Sequence, residues 1–141
     1  MVKSAKRKDP DLTLADGTEV FLESPGILFE AAVFGRFPDL TEYQGARLER
    51  ERKAEESGTE FAPTVEDRHR EYELSILFVI YGTSKPRFSK ERDPRDGARS
   101  VNSISTPDFW RIASAVQQRW EKERAEGAAR VGPSAASAVS S

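Results

Sequence analysis

The most apolar stretch of this chain is short and directly follows a strongly charged one. Apolar side chains occupy nearly every position of residues 74–81, whereas most side chains of residues 64–73 are charged or polar. Eight apolar residues fit either a buried strand or the buried end of a helix, and their β-branched members favour a strand. A strand, however, would leave the charged half outside any regular structure. We therefore predict one helix, which Thr64 caps and which stops at Gly82.

Two further segments carry the sequence signature of a helix start. Ser24-Pro25 and Thr106-Pro107 each place a capping hydroxyl before a proline at the first helical position. The first of these helices is expected to end at Gly35, which can take a left-handed conformation. Apolar residues at helical spacing predict which faces enter the core. The predicted core consists of Leu22, Ile27, Leu28, Ala31, Phe34, Ile76, Leu77, Ile80, Phe109, Ile112, Val116 and Trp120.

The remaining segments are a hairpin and two polar stretches. Asp16-Gly17 lies between apolar flanks in residues 11–22, which predicts a β-hairpin with a two-residue type I′ turn. Residues 41–56 alternate in charge, a pattern that fits either a partner surface or a solvated helix, and we favour the helix. Residues 83–104 are rich in basic side chains and predict a long polar connection.

Together these elements predict a mainly α fold: a small domain of three to five helices with a short N-terminal β-hairpin, over residues 11–126. Residues 1–10 are rich in lysine and predict a flexible basic arm, which either binds phosphate or only aids solubility. Residues 127–141 are a mixture of Gly, Ala and Ser that cannot form a core, and we predict a disordered tail.

The residue types that most catalytic chemistry needs are missing from the chain. Its 141 residues include no cysteine and one histidine, so disulfides, thiol nucleophiles and zinc–thiolate sites are excluded. His69 lies between two arginines and is predicted to be an exposed helix residue. The net charge of −2 does not select nucleic acid, and the apolar runs are too short to span a membrane. We predict an intracellular protein that is not an enzyme and binds no cofactor or metal.

Three passages of the chain resemble tail assembly chaperones of long-tailed bacteriophages. They are the strand and Ser-Pro helix start of residues 20–28 with the Gly-Arg-Phe-Pro step of 35–40, residues 77–88, and residues 105–116. They follow the same order as in those proteins and cover somewhat under half of the chain. The resemblance implies a factor in the host cytoplasm that binds the phage tape-measure protein and helps recruit the tail-tube protein. It also implies a longer frameshifted form, and a homo-oligomer is possible.

Such a factor would hold its helical partner in an apolar groove between helices. We predict Phe88 and Trp110 at the edge of this groove, because both are large and fall off the predicted core faces. The alternative interpretation is that they cover the core from outside. If they bind the partner, replacing both by alanine should change stability by less than about 1 kcal/mol and weaken binding by about 2 kcal/mol.

Two other functions stay open at this point. The chain could be a small nucleic-acid-binding protein that uses residues 3–8 and 85–99, although acidic residues interrupt the second segment. It could also be a structural neck or tail subunit of the same phage particle.

Overall fold

The computed structural model describes the backbone of residues 8–140 and the side chains of residues 8–127. Within this part of the chain there are four α-helices: α1 (Gly26–Arg36), α2 (Leu40–Glu56), α3 (Val65–Tyr81) and α4 (Thr106–Ser140). An antiparallel sheet has the order β1 (Leu12–Thr13), β2 (Glu19–Leu22) and β3 (Thr83–Lys85). A parallel pair is formed by β4 (Phe88–Ser89) and β5 (Arg99–Ser100), and a 3₁₀ helix (Val101–Ser103) follows. The predicted mainly α fold with an N-terminal hairpin is confirmed.

The central helix α3 is fixed at its start by its own side chains. The Thr64 hydroxyl accepts a hydrogen bond from the backbone N–H of Asp67 at 3.0 Å, and the Asp67 carboxylate accepts one from the N–H of Thr64 at 2.8 Å. This reciprocal pair is a capping box. At the other end, the N–H of Gly82 donates to the carbonyl of Phe78 at 2.8 Å. The prediction of a helix rather than a strand is confirmed, together with its cap and its end.

The core lies where the sheet, α1 and α4 pack against α3. The ring of Phe29 in α1 stacks on Phe78 in α3, with 4.7 Å between the ring centres. Four of the predicted core residues are buried, namely Leu22, Phe109, Ile112 and Val116. Four others are half-buried, namely Ile76, Leu77, Ile80 and Trp120.

Helix α1 packs with a different face from the one that the sequence predicted. Phe29 and Val33 are buried, and Phe37 follows on the same side. The four residues of α1 assigned to the core are exposed instead: Ile27, Leu28, Ala31 and Phe34. Both sets have helical spacing, so periodicity alone does not choose between them. The stacking of Phe29 on the aromatic side chains of α3 decides which set is buried.

The ends of α1 also differ from the prediction. Pro25 is the N-cap residue and no side-chain hydrogen bond caps the helix, so Ser24 does not act as a cap. The helix passes through Gly35 and ends one residue later, at the residue before Phe37. Phe37 leaves the helical region, with a φ of −130°, because Pro38 disfavours a helical conformation in the residue before it.

The hairpin turn is longer than predicted. The N–H of Gly17 donates to the carbonyl of Leu14 at 2.9 Å, and the N–H of Leu14 donates to the carbonyl of Thr18 at 2.8 Å. This is a three-residue loop with glycine in the left-handed position, at a φ of +88°. A type I′ turn would require a positive φ at Asp16 as well, and among the described residues only glycines have one.

Residues 83–104 contain more regular structure than a polar connection. β3 extends the hairpin to three strands, and β4 pairs with β5. β3 pairs with a strand that is distant in sequence, and β4 and β5 are too short to show a strand pattern, so local composition does not reveal either pairing. Helix α4 begins with Ser105 as its cap, whose hydroxyl accepts from the N–H of Asp108 at 3.2 Å. The predicted cap, Thr106, is instead the first residue of the helix.

The predicted domain limits, at residues 10/11 and 126/127, lie close to the two ends of the chain. Residues 1–7 of the predicted basic arm lie outside the described residues. Helix α4 continues to Ser140, past the predicted domain end at residue 126, and its alanines favour a helical backbone. That residues 127–141 lie outside the core stays a prediction. None of the helices in residues 8–140 has the length and apolar character needed to cross a membrane.

Helix α2 has no buried residue and is held to α3 by polar groups, so the predicted solvated helix is confirmed. The fully buried Asp67 carboxylate accepts two hydrogen bonds from the Arg50 guanidinium, at 2.7 and 2.9 Å. The hydroxyl of Tyr43 also donates to it. The Arg70 guanidinium lies 3.9 Å from the centre of the Tyr43 ring and pairs with Asp39 at 3.0 Å. The attachment of α2 therefore depends largely on charge, beside the packing of Leu40 against the core.

This dependence predicts the effect of neutralising Asp67. Its hydrogen bonds with Arg50 hold the pKa of the Asp67 carboxyl far below its usual range. Because the folded-state pKa is lowered, the stabilisation is complete above the unfolded-state pKa of about 3.9 and is lost as the pH falls below it. Asp67→Asn keeps an acceptor for the capping box but removes the charge. Because the Arg50 side chain is partly exposed, we expect the free energy of unfolding to fall by about 2 kcal/mol at neutral pH, the usual value of hydrogen bonds to a charged group.

Urea unfolding near pH 7 and near pH 3 measures this effect. The free energies of unfolding of Asp67→Asn and the native protein should differ less at the lower pH. The reason is that protonation begins to remove the same interaction from the native protein. The control is Glu49→Gln, which breaks an exposed ion pair with Arg52 on α2 and should leave stability unchanged. A constant difference at both pH values would contradict the assigned role of the charge.

Candidate partner-binding groove

Three of the largest exposed apolar side chains belong to the short helix α1. Ile27, Leu28 and Phe34 are 75%, 69% and 57% exposed. With Ala31 they occupy one side of the helix, which we call the α1 face. Single exposed apolar residues are normal on a protein surface, whereas contiguous apolar groups are typical of interaction surfaces.

The α1 face borders a groove between α1 and α4, which we call the α1–α4 groove. Its α1 wall is formed by Glu30, Val33 and Phe34, and its α4 wall by Gln117, Trp120, Glu121 and Arg124. Its floor and far side are lined by residues of α1, α2 and α3, namely Phe29, Leu40, Thr41, Gln44, Leu74 and Phe78. The volume of the groove is about 320 Å³. Towards the start of α1 it continues into a depression of about 260 Å³ that Ile27 and Glu123 also line. The two parts share Glu30, Trp120 and Arg124.

Trp120 connects the groove to the core. Its ring packs edge-on against Phe29 at 5.5 Å and against Phe78 at 5.6 Å between ring centres. The guanidinium of Arg124 lies 4.7 Å from the centre of the Trp120 ring. These contacts hold the half-buried indole in place while part of it stays accessible. A positioned, partly exposed tryptophan is typical of the residues that dominate protein interfaces.

The charged side chains that line the groove are mainly acidic. Glu123 pairs with Arg119 at 3.4 Å, and Glu121 accepts a hydrogen bond from the Gln117 amide at 3.2 Å. Glu30 is half-buried between the two parts of the groove. Within the described part of the chain, its carboxylate has no hydrogen-bond or ion-pair partner. The groove thus combines apolar walls with one uncompensated negative charge.

The two residues predicted to bind a partner do not line this groove. Phe88 is 4% exposed, because the pairing of β4 with β5 places its side chain in the core beside α3. The expectation that it is accessible at the edge of a groove is wrong. Trp110 is half-buried against Tyr72 and Phe109, at 4.9 and 5.1 Å between ring centres. Its role in binding a partner stays a prediction.

Three of the residues that line the groove, Ile27, Phe34 and Trp120, were assigned to the core by the sequence analysis. The signal that could have identified them is that α1 carries two apolar rows, one with Phe29 and Val33 and the other with Ile27, Ala31 and Phe34. A surface helix that packs on one neighbour buries a single apolar stripe. A helix with two such rows therefore leaves one available for another contact.

His69 and the basic segment 85–99 were also considered for chemistry or binding. His69 is an exposed helix residue, as predicted, with 60% of its side chain accessible and Glu73 3.5 Å away. No group of three or more potential metal ligands occurs among the residues that the structure describes. Arg99, from the basic segment 85–99, donates to the hydroxyl of Thr18 at 2.7 Å and so anchors the hairpin loop.

The chain matches no protein-family model, no curated protein and no solved structure.

Proposed function

We propose that this protein is an assembly chaperone that binds an apolar helical segment of a tape-measure protein and aids tail-tube assembly in the host cytoplasm. The single observation that carries the proposal is the α1 face beside the α1–α4 groove. The sequence resemblance to tail assembly chaperones supports the identity of the partner. The proposal includes no chemical step and no cofactor.

The shape of the groove suits a helix. Ile27, Glu30 and Phe34 follow one another at helical spacing along α1, and Gln117, Trp120 and Arg124 do so along α4. A partner helix anchors in such a groove through apolar residues at i, i+3, i+4 and i+7. A tape-measure protein is expected to be long and helical, and to expose apolar stripes until tail-tube subunits surround it. Covering those stripes would keep it soluble during assembly.

Co-purification with the tape-measure protein of the same phage tests the proposal. The double variant Ile27→Ser/Phe34→Ser removes two exposed apolar side chains from the groove region. We expect the affinity to fall about 30-fold, which corresponds to about 2 kcal/mol. The melting temperature should stay unchanged, because both side chains are exposed in the free protein.

The control is Leu48→Ser, which removes an apolar side chain that is 65% exposed on α2 and does not line the groove. Its affinity should equal that of the native protein. Equal binding by the control and the double variant would place the binding surface elsewhere. Absence of the tape-measure protein from the native preparation would contradict the proposed function itself.

A further inference from the structure

We infer that the segment bound in the α1–α4 groove is an amphipathic helix whose apolar stripe is bordered by lysine or arginine, and that Glu30 selects it. This inference rests on the proposed function and specifies the chemistry of the partner.

Glu30 occupies the centre of the α1 wall. It lies one helical turn from both Ile27 and Phe34, and it lines both parts of the groove. Its carboxylate is half-buried and lacks a partner within the described residues. A helix laid in the groove would remove this carboxylate from water, and burying an unpaired charge is costly. A basic side chain beside the apolar stripe of the partner removes that cost by pairing with it.

The other charges of the groove favour the same partner. Glu121, which accepts a hydrogen bond from the neutral Gln117 amide, adds negative charge to the α4 side, whereas the charge of Glu123 is paired with Arg119. The one basic lining residue, Arg124, lies over the Trp120 ring. The Arg36 side chain at the end of α1 is paired with Glu73 at 3.0 Å. An acidic partner would therefore meet like charges, which disfavours its binding.

A second copy of this chain fits the groove less well than a basic helix. Contact between two identical surfaces through a two-fold axis places the same patch on both sides. The acidic lining around Glu30 would then face another acidic lining. The charges therefore favour a partner of different composition over self-association through this face.

The test uses two synthetic probes and the full-length chain. The first probe is an 18-residue amphipathic peptide of leucine and lysine, and the second replaces every lysine by glutamate. Fluorescence anisotropy of the labelled peptides measures affinity. We expect the lysine peptide to bind at least about 10-fold more tightly than the glutamate peptide. Glu30→Gln should weaken binding of the lysine peptide about 10-fold, and Glu30→Lys should remove or reverse the preference.

The matched control is Glu55→Lys, which makes the same change in net charge at an exposed position of α2. Glu55→Lys should retain the preference for the lysine peptide. A general attraction between oppositely charged molecules would change equally in Glu30→Lys and Glu55→Lys, so only a local effect of Glu30 distinguishes them. If Glu30→Lys behaves like the control while Ile27→Ser/Phe34→Ser abolishes peptide binding, the groove is correct and the role of Glu30 is wrong. An intact preference without capture of the tape-measure protein would instead contradict only the proposed function.

Two further measurements identify other occupants of the groove. If the native protein is a dimer that Phe34→Ser converts to a monomer, a second copy occupies the groove and the inference is overturned. If a chain that begins at Lys8 binds the lysine peptide and the full-length chain does not, residues 1–7 occupy the groove. That result would also overturn the inference. A monomeric native protein whose affinity does not depend on residues 1–7 is the expected result.

Discussion

Phe88→Ala is expected to lower the free energy of unfolding by about 3 to 5 kcal/mol. The side chain is 4% exposed and belongs to the core, so its removal loses apolar burial and leaves a cavity. Chemical denaturation followed by circular dichroism measures the change. A loss of this size would agree with the buried position of Phe88 in the structure. The sequence-based expectation placed Phe88 at the surface and allowed a change in stability of less than about 1 kcal/mol.

The matched control for this substitution is Phe34→Ala, the same chemical change at a residue that is 57% exposed. Its stability should stay within about 0.5 kcal/mol of the native value. Similar losses at both positions would contradict the difference in burial. A small loss at Phe88 alone would mean that β4 does not enter the core, and the original assignment of Phe88 to a binding surface would then be open again.

Gly82→Ala is expected to destabilise the fold by about 3 kcal/mol. An added methyl group at Gly82 would overlap the Cγ1 atom of Val116, and it would lie 2.7 Å from both the Cγ2 atom of Val116 and the carbonyl oxygen of Phe78. Val116 is fully buried, so a shift of its side chain would disturb the packing of the core. The φ of Gly82 is −104°, which alanine adopts readily, so the loss is steric. Thermal and urea unfolding both measure this loss of stability.

Gly35→Ala is the control for this second prediction. Gly35 lies within α1, and a methyl group there would have no neighbour within 4 Å. Alanine has the higher helix propensity, so we expect no loss and up to about 1 kcal/mol of stabilisation. In a Val116→Ala background the cost of Gly82→Ala should shrink, because the obstructing methyl groups are gone. An unchanged cost would show that the contact with Val116 is not the cause.

The sequence was most informative where local rules act. The cap of α3 at Thr64 and its end at Gly82 depend on residues within one helical turn, and both were predicted. The solvated character of α2 follows from its composition, which contains too few apolar residues to bury a face. Capping and charge patterning act over three or four residues, so they can be read without knowledge of the neighbouring elements.

The sequence was least informative about the candidate site. Periodicity selected Ile27, Leu28, Ala31 and Phe34 for the core, whereas these residues form the exposed α1 face. It did not identify the row with Phe29 and Val33 that is buried instead. The uncompensated carboxylate of Glu30 is visible only when α4 is in place beside it. Glutamate on a helix is usually a solvated residue, so its type and position carry no signal of their own.

The sequence by itself determined the helices, the presence of the hairpin and the lack of residues for thiol or zinc–thiolate chemistry. The tertiary structure alone decided that Phe29 rather than Phe34 faces α3, that Phe88 is buried, and that α1 and α4 enclose a groove. The physical reason is the range of the interactions. Capping and propensity act between near neighbours in the chain, whereas burial depends on which distant segment packs against a given face.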